Sequence, residues 1–195
     1  NGSPGKLQLL EWDGSSLQDR DDQDISSGYG GLGIAPSGDG DNVFIAISST
    51  SQEQILLKEG FTSGANTDQI ANASSFNKSG SLDGAKVNIF HRTRDYLYNM
   101  SQSNNHKLVT IDVSNINNPT YVRQTTGGTT YLNQPQYGVL DDTNDKMYVT
   151  NYDSNGAYLT VMNVASNAQF RAKHTLSGSG TDPGQVKVIN YDPPV

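Results

Sequence analysis

Acidic clusters are the parts of this sequence whose residue types and spacing come closest to a set of metal ligands. Four aspartates fall within the segment DRDDQD: Asp19, Asp21, Asp22 and Asp24. Two further groups follow: Asp39 and Asp41, and then Asp141, Asp142 and Asp145. Calcium prefers carboxylate and carbonyl oxygens in a flexible loop, although aspartates in turns also accept hydrogen bonds from backbone N–H groups. No cluster has the bidentate Glu that ends the twelve-residue loop of an EF-hand. Among the three clusters, residues 19–24 are the first position at which we predict a calcium site.

Side chains able to act as nucleophiles or bases form no recognisable constellation in the sequence. The three histidines, His91, His106 and His174, share neither a metal-ligand spacing nor a recurring carboxylate neighbour. No Gly-x-Ser-x-Gly segment lies between a predicted strand and a helix. The chain contains no cysteine, which excludes a thiolate zinc site, a disulfide scaffold and a cysteine nucleophile. We therefore predict surface or packing roles for the histidines and assign no catalytic residue.

Aromatic side chains offer a second kind of candidate site, one that binds sugars. Three tyrosines, Tyr131, Tyr137 and Tyr152, fall near predicted loops or strand edges, where their rings could stack on a carbohydrate. Trp12 is the only tryptophan, and packing at a strand end competes with ligand binding as its role. Because aromatic residues are also favoured in ordinary strands, their presence alone does not distinguish the two roles. We predict these four residues as a ligand-binding set for a carbohydrate or protein partner.

The overall composition indicates a folded, acidic, strand-rich domain. Hydrophobic residues make up 33% of the chain and charged residues 17%, and short apolar clusters alternate with Gly, Ser, Asn and Asp, as in all-β proteins. The net charge of −7 argues against a nucleic-acid groove, which needs clustered Lys and Arg. No apolar run approaches the ~20 residues that cross a bilayer. We expect no nucleic-acid partner, no membrane insertion, and a location outside the cell, on its surface or on a virion.

A repeated sequence unit indicates how these residues are positioned. Leu108 in DYLYNMSQSNNHKLVTIDVSN aligns with Leu159 in DKMYVTNYDSNGAYLTVMNVASN, 51 residues later. A third copy, NVFIAISSTSQEQILLKEG, places Ile55 on Leu108 with an offset of 53 residues. Each copy reads as short strands with a two-residue period, separated by turns rich in Asp, Asn and Gly. A weaker fourth strand follows each set.

Units of about 50 residues with four strands each are typical of a β-propeller, in which small antiparallel sheets stack as blades around an axis. We predict an all-β chain with blades at 29–83, 84–133 and 134–182. Residues 1–28 and 183–195 would share an incomplete blade. We favour a ring of about four blades, because the two chain ends complement each other, and the alternative is part of a larger propeller. In the first blade, the polar segment 62–84 is predicted to be a long inter-blade loop available for binding.

The segment DDTNDKMYVTNYDSNGAYLTVMNVASN resembles the YVTN repeats of β-propellers from bacterial and archaeal surface proteins. The four letters are Tyr148, Val149, Thr150 and Asn151. The copy at 95–115 is similar to LVIVD-type repeats through LVTIDVSNINNP. The resemblance implies a propeller exposed outside the cell. It also implies an alternative, since lactonase-like propeller enzymes are similar to YVTN proteins and hold a metal in their central channel.

Function can be predicted only partly from fold, so two classes stay open. The leading prediction is a non-enzymatic recognition, adhesion or assembly module that contacts its partner through loops on one propeller face, with no cofactor other than possible calcium. Exposed strand edges at the incomplete blade would allow homo-oligomers or assembly with neighbouring subunits. The alternative is a metal-dependent, lactonase-like hydrolase. Against it, the predicted innermost segments contribute apolar positions such as Ile34, Val87, Tyr137 and Val186 rather than metal ligands.

Overall fold

The computed structural model describes residues 5–26, 31–38, 42–47, 54–59, 71–77, 82, 85–101, 106–154, 156–165 and 168–176. They form strands almost throughout. A hairpin comprises β1 (Gly5–Trp12) and β2 (Leu17–Ser26). The first sheet comprises β3 (Gly31–Pro36), β4 (Asn42–Ile47), β5 (Gln54–Glu59) and β6 (Ala71–Asn77). The second comprises β7 (Ala85–His91), β8 (Tyr96–Ser101), β9 (Lys107–Asp112) and β10 (Thr120–Thr126). The third comprises β11 (Pro135–Asp141), β12 (Lys146–Asn151), β13 (Tyr158–Asn163) and β14 (Gln169–Thr175).

The all-β propeller class predicted from the sequence is confirmed. Each of the three sheets is a four-stranded antiparallel meander whose strands follow chain order. The only helix in the described residues is one turn, α1 (Gly128–Tyr131), between the second and third sheets. No described helix has the length and apolar character needed to cross a membrane. The exact blade boundaries stay a prediction, and the shared blade involves residues 183–195, which lie outside the described part.

Strand register shows the repeat at the level of single residues. Ile55 pairs with Ala46, Leu108 with Met100 and Leu159 with Thr150, so the three aligned residues occupy equivalent positions. Each sheet also has an irregularity near the start of its first strand. A second lies between its third and fourth strands. Such bulges increase local twist, which lets successive sheets fan around an axis.

The turns between the first and second strands explain the recurring aspartates. Asp95 and Asp145 occupy equivalent places in the second and third sheets, with φ of 51° and 50°. Asp tolerates this left-handed backbone better than most residues. Its carbonyl accepts a hydrogen bond from Val113 N in one sheet and from Val164 N in the other, each at 2.9 Å. These aspartates therefore fix the turn to the end of the third strand.

Packing between neighbouring sheets forms two cores. Between the second and third sheets lie buried residues such as Ile89, Met100 and Met147, and between the first and second lie residues such as Phe44 and Leu97. In the second sheet, β8 and β9 are buried on both faces, whereas β13 alternates between buried and half-buried positions. The middle sheet is thus covered by a neighbour on each side, as a propeller blade requires.

The predicted 62–84 loop is wrong in part, because residues 71–77 form the outermost strand β6, paired with β5. The polar sequence ANASSFN gives little apolar alternation, which is why it reads as a loop. An outermost strand with only one neighbour tolerates such a sequence because burial does not constrain both of its faces. The remaining residues of that segment, apart from Leu82, lie outside the described part.

Candidate functional site

A cavity of about 470 Å³ lies where the first strands of the three sheets converge. Strand β7 contacts both β3 and β11, so it lies between the first strands of the other two sheets. Close approach depends on glycine: a Cβ on Gly33 would lie 2.2 Å from the carbonyl oxygen of Lys86, and one on Gly138 would lie 2.4 Å from Ile89 Cδ1. We call this space the axial cavity.

The axial cavity has an apolar wall and a polar end. Its wall includes Ile34, Ile89 and Val139 from the three innermost strands. Its polar residues come from β7, from β11 and from the turns that follow these two strands: Asn88, Arg92, Asp141, Asp142 and Thr143. Apart from Asn88, these polar residues thus lie where the chain leaves β7 and β11. A mixed lining of this kind is typical of small-molecule sites.

A buried histidine joins the second sheet to the carboxylates of the third at this polar end. His91, the last residue of β7, has 0% of its surface exposed. Its Nε2 lies 3.0 Å from Asp145 Oδ1, and its Nδ1 lies 3.2 Å from Asp142 Oδ1. The Thr93 hydroxyl lies 3.3 Å from the same Nδ1. The imidazole is therefore hydrogen-bonded to Asp145 and lies close to Asp142, which lines the axial cavity.

Arg94 reinforces the same contact between the second and third sheets. One of its guanidinium nitrogens lies 2.9 Å from Asp145 Oδ2, and another donates to the Ala165 carbonyl. The hydrogen bond from His91, together with the charge of Arg94, holds the pKa of Asp145 below its usual range. Asp145 is thus ionised and holds the turn. The carboxylates that line the cavity are Asp141 and Asp142, and of these Asp142 lies beside His91.

Two buried asparagines support the cavity from behind. The Asn99 amide donates to Asn88 Oδ1 at 2.8 Å, and the Asn88 amide donates to the Phe44 carbonyl at 3.3 Å. Asn88 and Asn99 are 7% and 0% exposed. Buried polar side chains need such partners to offset their desolvation, so the pair holds the Asn88 side chain at the cavity wall.

The arrangement can support acid–base chemistry but does not resemble a metal centre. No group of three or more His, Asp or Glu side chains placed to hold a metal ion occurs in the described part of the chain. The His91 ring lies between Asp142 and Asp145, so their ligand atoms do not converge on a common point. The metal of the lactonase-like alternative therefore has no matching ligand set among the residues described.

The predicted calcium ligands lie on a strand rather than in a flexible loop. Asp19, Asp21, Asp22 and Asp24 all belong to β2. The Gln8 amide donates to Asp19 at 2.9 Å. Asp22 forms an ion pair with Lys6. Asp21 pairs with Leu9 and so lies on the other face of the hairpin from Asp19, which pairs with Leu10. The calcium site stays a prediction at these positions, and Asp39 and Asp41 lie outside the described residues.

The predicted aromatic set is dispersed over the fold. Trp12 ends β1 and is 61% exposed, so the alternative role in packing at a strand end does not apply. Tyr131 stacks on Phe170 at 5.0 Å between ring centroids. Tyr137 is 42% exposed on β11, and Tyr152 follows β12. No ring contact joins these four residues in the part of the chain that the structure describes. Their ligand-binding role stays a prediction.

Sequence reasoning missed the cluster around His91 because its members are 50 residues apart. The acidic group at 141–145 was identified, but as a calcium candidate rather than as the partner of a histidine. Placing NIFHRTRD over VLDDTND aligns the two turns that follow the innermost strands. That alignment puts His91 and Asp141 at equivalent positions of adjacent sheets. It does not show that His91 lies beside Asp142 and Asp145, because that contact depends on how the two sheets face each other. The other histidines, His106 and His174, lie elsewhere, His106 beside Leu132 and His174 exposed on β14.

Comparison with known proteins identifies the fold. No protein-family model and no curated protein matches the chain. Among solved structures, a candidate 6-phosphogluconolactonase from Bacteroides fragilis matches with a TM-score of 0.68 and 10% identity, covering 91% of this chain and 54% of that one. The periplasmic gluconolactonase of Pseudomonas aeruginosa gives 0.66 and 14%, covering 93% and 52%. The Cps50 β-propeller domain from Myceliophteria thermophila gives 0.54 and 11%, covering 80% and 46%.

These likenesses show a β-propeller fold, and the chain spans about half the length of the structures it matches. The more specific resemblance to YVTN and LVIVD repeats stays a prediction. The predicted absence of enzymatic activity is contradicted, because structures of this fold include a gluconolactonase and candidate 6-phosphogluconolactonases. The prediction failed because it rested on the absence of a catalytic constellation in the sequence, whereas the fold brings His91 and Asp142 together beside a cavity.

Proposed function

We propose that this chain is a lactonase-like hydrolase that opens the ring of sugar lactones in the axial cavity. The observation that carries the proposal is Asp142, whose carboxylate lines the cavity and lies 3.2 Å from the buried imidazole of His91. Proteins named as gluconolactonases share the fold. The chain spans about half of the length of those proteins. The lactonase activity of the whole protein is therefore part of this proposal.

In the proposed reaction, Asp142 acts as the general base. It accepts a proton from a water molecule while the water oxygen bonds to the carbonyl carbon of the lactone. The former carbonyl oxygen then carries negative charge, which the Arg92 guanidinium in the same cavity stabilises. The bond between that carbon and the ring oxygen breaks, and the ring oxygen takes the proton from Asp142. The product is an open-chain hydroxy acid.

The lining of the cavity suits a sugar lactone. A ring of this kind has C–H groups that pack on aliphatic side chains, here Ile89 and Val139, and hydroxyl groups that need polar partners. Asn88 and Thr143 supply such partners at the polar end. The volume of about 470 Å³ falls within the ~300–1,000 Å³ of typical small-molecule sites.

The test is the rate of ring opening, corrected for spontaneous hydrolysis, with glucono-1,5-lactone and 6-phosphogluconolactone as probes. Asp142→Asn should lower kcat by about 100-fold or more, the usual contribution of a positioned base. Asp112→Asn is the matched control, since Asp112 caps the turn at Ser114, outside the axial cavity, and Asn keeps an acceptor oxygen. Wild-type protein that opens neither lactone above the spontaneous rate, or an unchanged rate in Asp142→Asn, would overturn the proposal.

We also propose that the protein works outside the cytoplasm. The polar, Asn-, Ser- and Thr-rich composition supports this location, as does the name of the Pseudomonas neighbour, a periplasmic gluconolactonase. Fractionation of the source cells with an antibody against the chain tests it. Recovery of the protein in the cytosol alone would contradict the proposal.

A further inference from the structure

A second cavity, of about 530 Å³, lies between the first and second sheets. We call it the inter-sheet cavity. Phe44 and Phe90 form its aromatic part, with ring centroids 5.4 Å apart and planes inclined by 27°. Ile116 and Val113 extend the apolar surface. No function described above uses this space, although Arg92 lies at the boundary between it and the axial cavity.

Two opposite charges face the inter-sheet cavity without neutralising each other. Arg92 and Asp95 both line it, and both side chains are exposed. Within the described residues, neither side chain takes part in a hydrogen bond or an ion pair. Asp95 can therefore bind a cationic group from solution, and Arg92, which lines both cavities, can bind an anionic group in either of them.

The Asp95 backbone and the stem of Arg92 each have defined neighbours. Asp95 is held in the left-handed conformation, with φ of 51°, and its carbonyl accepts a hydrogen bond from Val113 N at 2.9 Å. The stem of Arg92 passes close to Gly38, where an added Cβ would lie 3.4 Å from Arg92 Cγ and 3.7 Å from Phe90 Cε1. The arginine stem and the phenylalanine ring are therefore neighbours at one wall.

We propose that the inter-sheet cavity binds a free amino acid with an apolar side chain. The Arg92 fork binds the α-carboxylate through paired hydrogen bonds, and the Asp95 carboxylate accepts from the α-ammonium group. The ligand side chain packs on Phe90 and Ile116. The same charges disfavour other ligands, because Arg92 repels a metal ion and Asp95 repels a phosphate.

Binding is tested without any lactone, by following the amide resonances of Gly38 and Ser114 during titration with L-phenylalanine. Two derivatives probe the two charges: L-phenylalaninamide lacks the carboxylate and N-acetyl-L-phenylalanine lacks the ammonium group. Each should bind about tenfold more weakly than L-phenylalanine, or worse, as expected when a charge-assisted hydrogen bond is lost. Equal binding of all three compounds, or no shift at these amides, would overturn the proposal.

Two variants assign each charge to its residue. Arg92→Gln should remove the preference for L-phenylalanine over its amide, and Asp95→Asn should remove the preference over the N-acetyl compound. Asn tolerates the left-handed backbone of position 95, so this variant keeps the turn. Arg171→Gln and Asp13→Asn, at exposed positions outside both cavities, are the matched controls and should bind like wild type. Preferences that survive in both Arg92→Gln and Asp95→Asn would assign the shifts to a different site and reject the proposal.

Discussion

His91 is a fully buried polar residue at the contact between the second and third sheets. Replacing it with Phe keeps a ring of similar size but removes both nitrogens, so Asp142 and Asp145 lose the partner that lies between them. We expect the free energy of unfolding to fall by about 2 kcal/mol or more, the scale of hydrogen bonds to charged groups. Urea denaturation measures the change.

His174→Phe is the matched control for this experiment because His174 is exposed on β14. Its effect should stay within about 0.5 kcal/mol, as for most surface substitutions. If the two variants changed stability equally, the stabilising role of His91 between the second and third sheets would be wrong.

The lowered pKa of Asp145 leads to a prediction about how the stability of the protein depends on pH. Its pKa is lowered in the folded protein by His91 and Arg94, so the unfolded chain binds the proton first as pH falls. The contribution of Asp145 to stability is therefore complete above its unfolded pKa of about 3.9 and is lost as pH falls through the lower, folded value.

Urea denaturation of wild type and Asp145→Asn at several pH values between 2 and 7 tests this sign. The difference in stability between the two proteins should be largest near neutral pH and should shrink toward pH 2. A difference that stays constant over the whole range would show that the carboxylate does not act through its charge.

Strands β3 and β7 approach each other closely at Gly33. A Cβ at this position would lie 2.2 Å from the backbone oxygen of Lys86, which cannot move without shifting β7. Gly33→Ala should therefore cost about 1–3 kcal/mol, as overpacked cores do. Gly38→Ala is the control, because its added Cβ would meet only side-chain atoms, the nearest at 3.4 Å.

Thermal unfolding of the two alanine variants provides the measurement. We expect a clearly lower Tm for Gly33→Ala and a Tm close to wild type for Gly38→Ala. Equal values would mean that the innermost strands are not packed as closely as the structure shows.

Strands could be predicted from the sequence where apolar and polar residues alternate or where a segment recurs in the next repeat. LVTIDV and LTVMNV have a two-residue period, and β9 and β13 form there. Aspartates at equivalent turns, Asp95 and Asp145, directly precede β8 and β12. In contrast, β6 is polar and was predicted as a loop, because its strand conformation depends on pairing with β5 rather than on its own pattern. The His91 contact could not be predicted, because it depends on how adjacent sheets face each other.

At the scale of the whole molecule, the stacking of sheets predicts different costs for equivalent leucines. Leu108 is 0% exposed in the middle sheet, whereas its counterpart Leu159 in the third sheet is only half-buried. Leu108→Ala should cost about 2–5 kcal/mol, the usual range for a buried leucine, and Leu159→Ala should cost clearly less. Because the two positions share the same register, the pair isolates the effect of burial between sheets. Equal losses in urea denaturation would contradict the stacked arrangement.

The most direct test of the account is to locate where an unreactive lactone analogue binds. Gluconolactam has the ring and hydroxyl groups of gluconolactone but is not hydrolysed readily, and hydrogen–deuterium exchange reports which backbone amides it protects. We predict protection in β7, in β11 and in the turn at residues 141–145, with no change in the hairpin of residues 5–26. Protection confined to the hairpin near Trp12, or no protection anywhere at saturating analogue, would contradict the claim that the axial cavity is the active site.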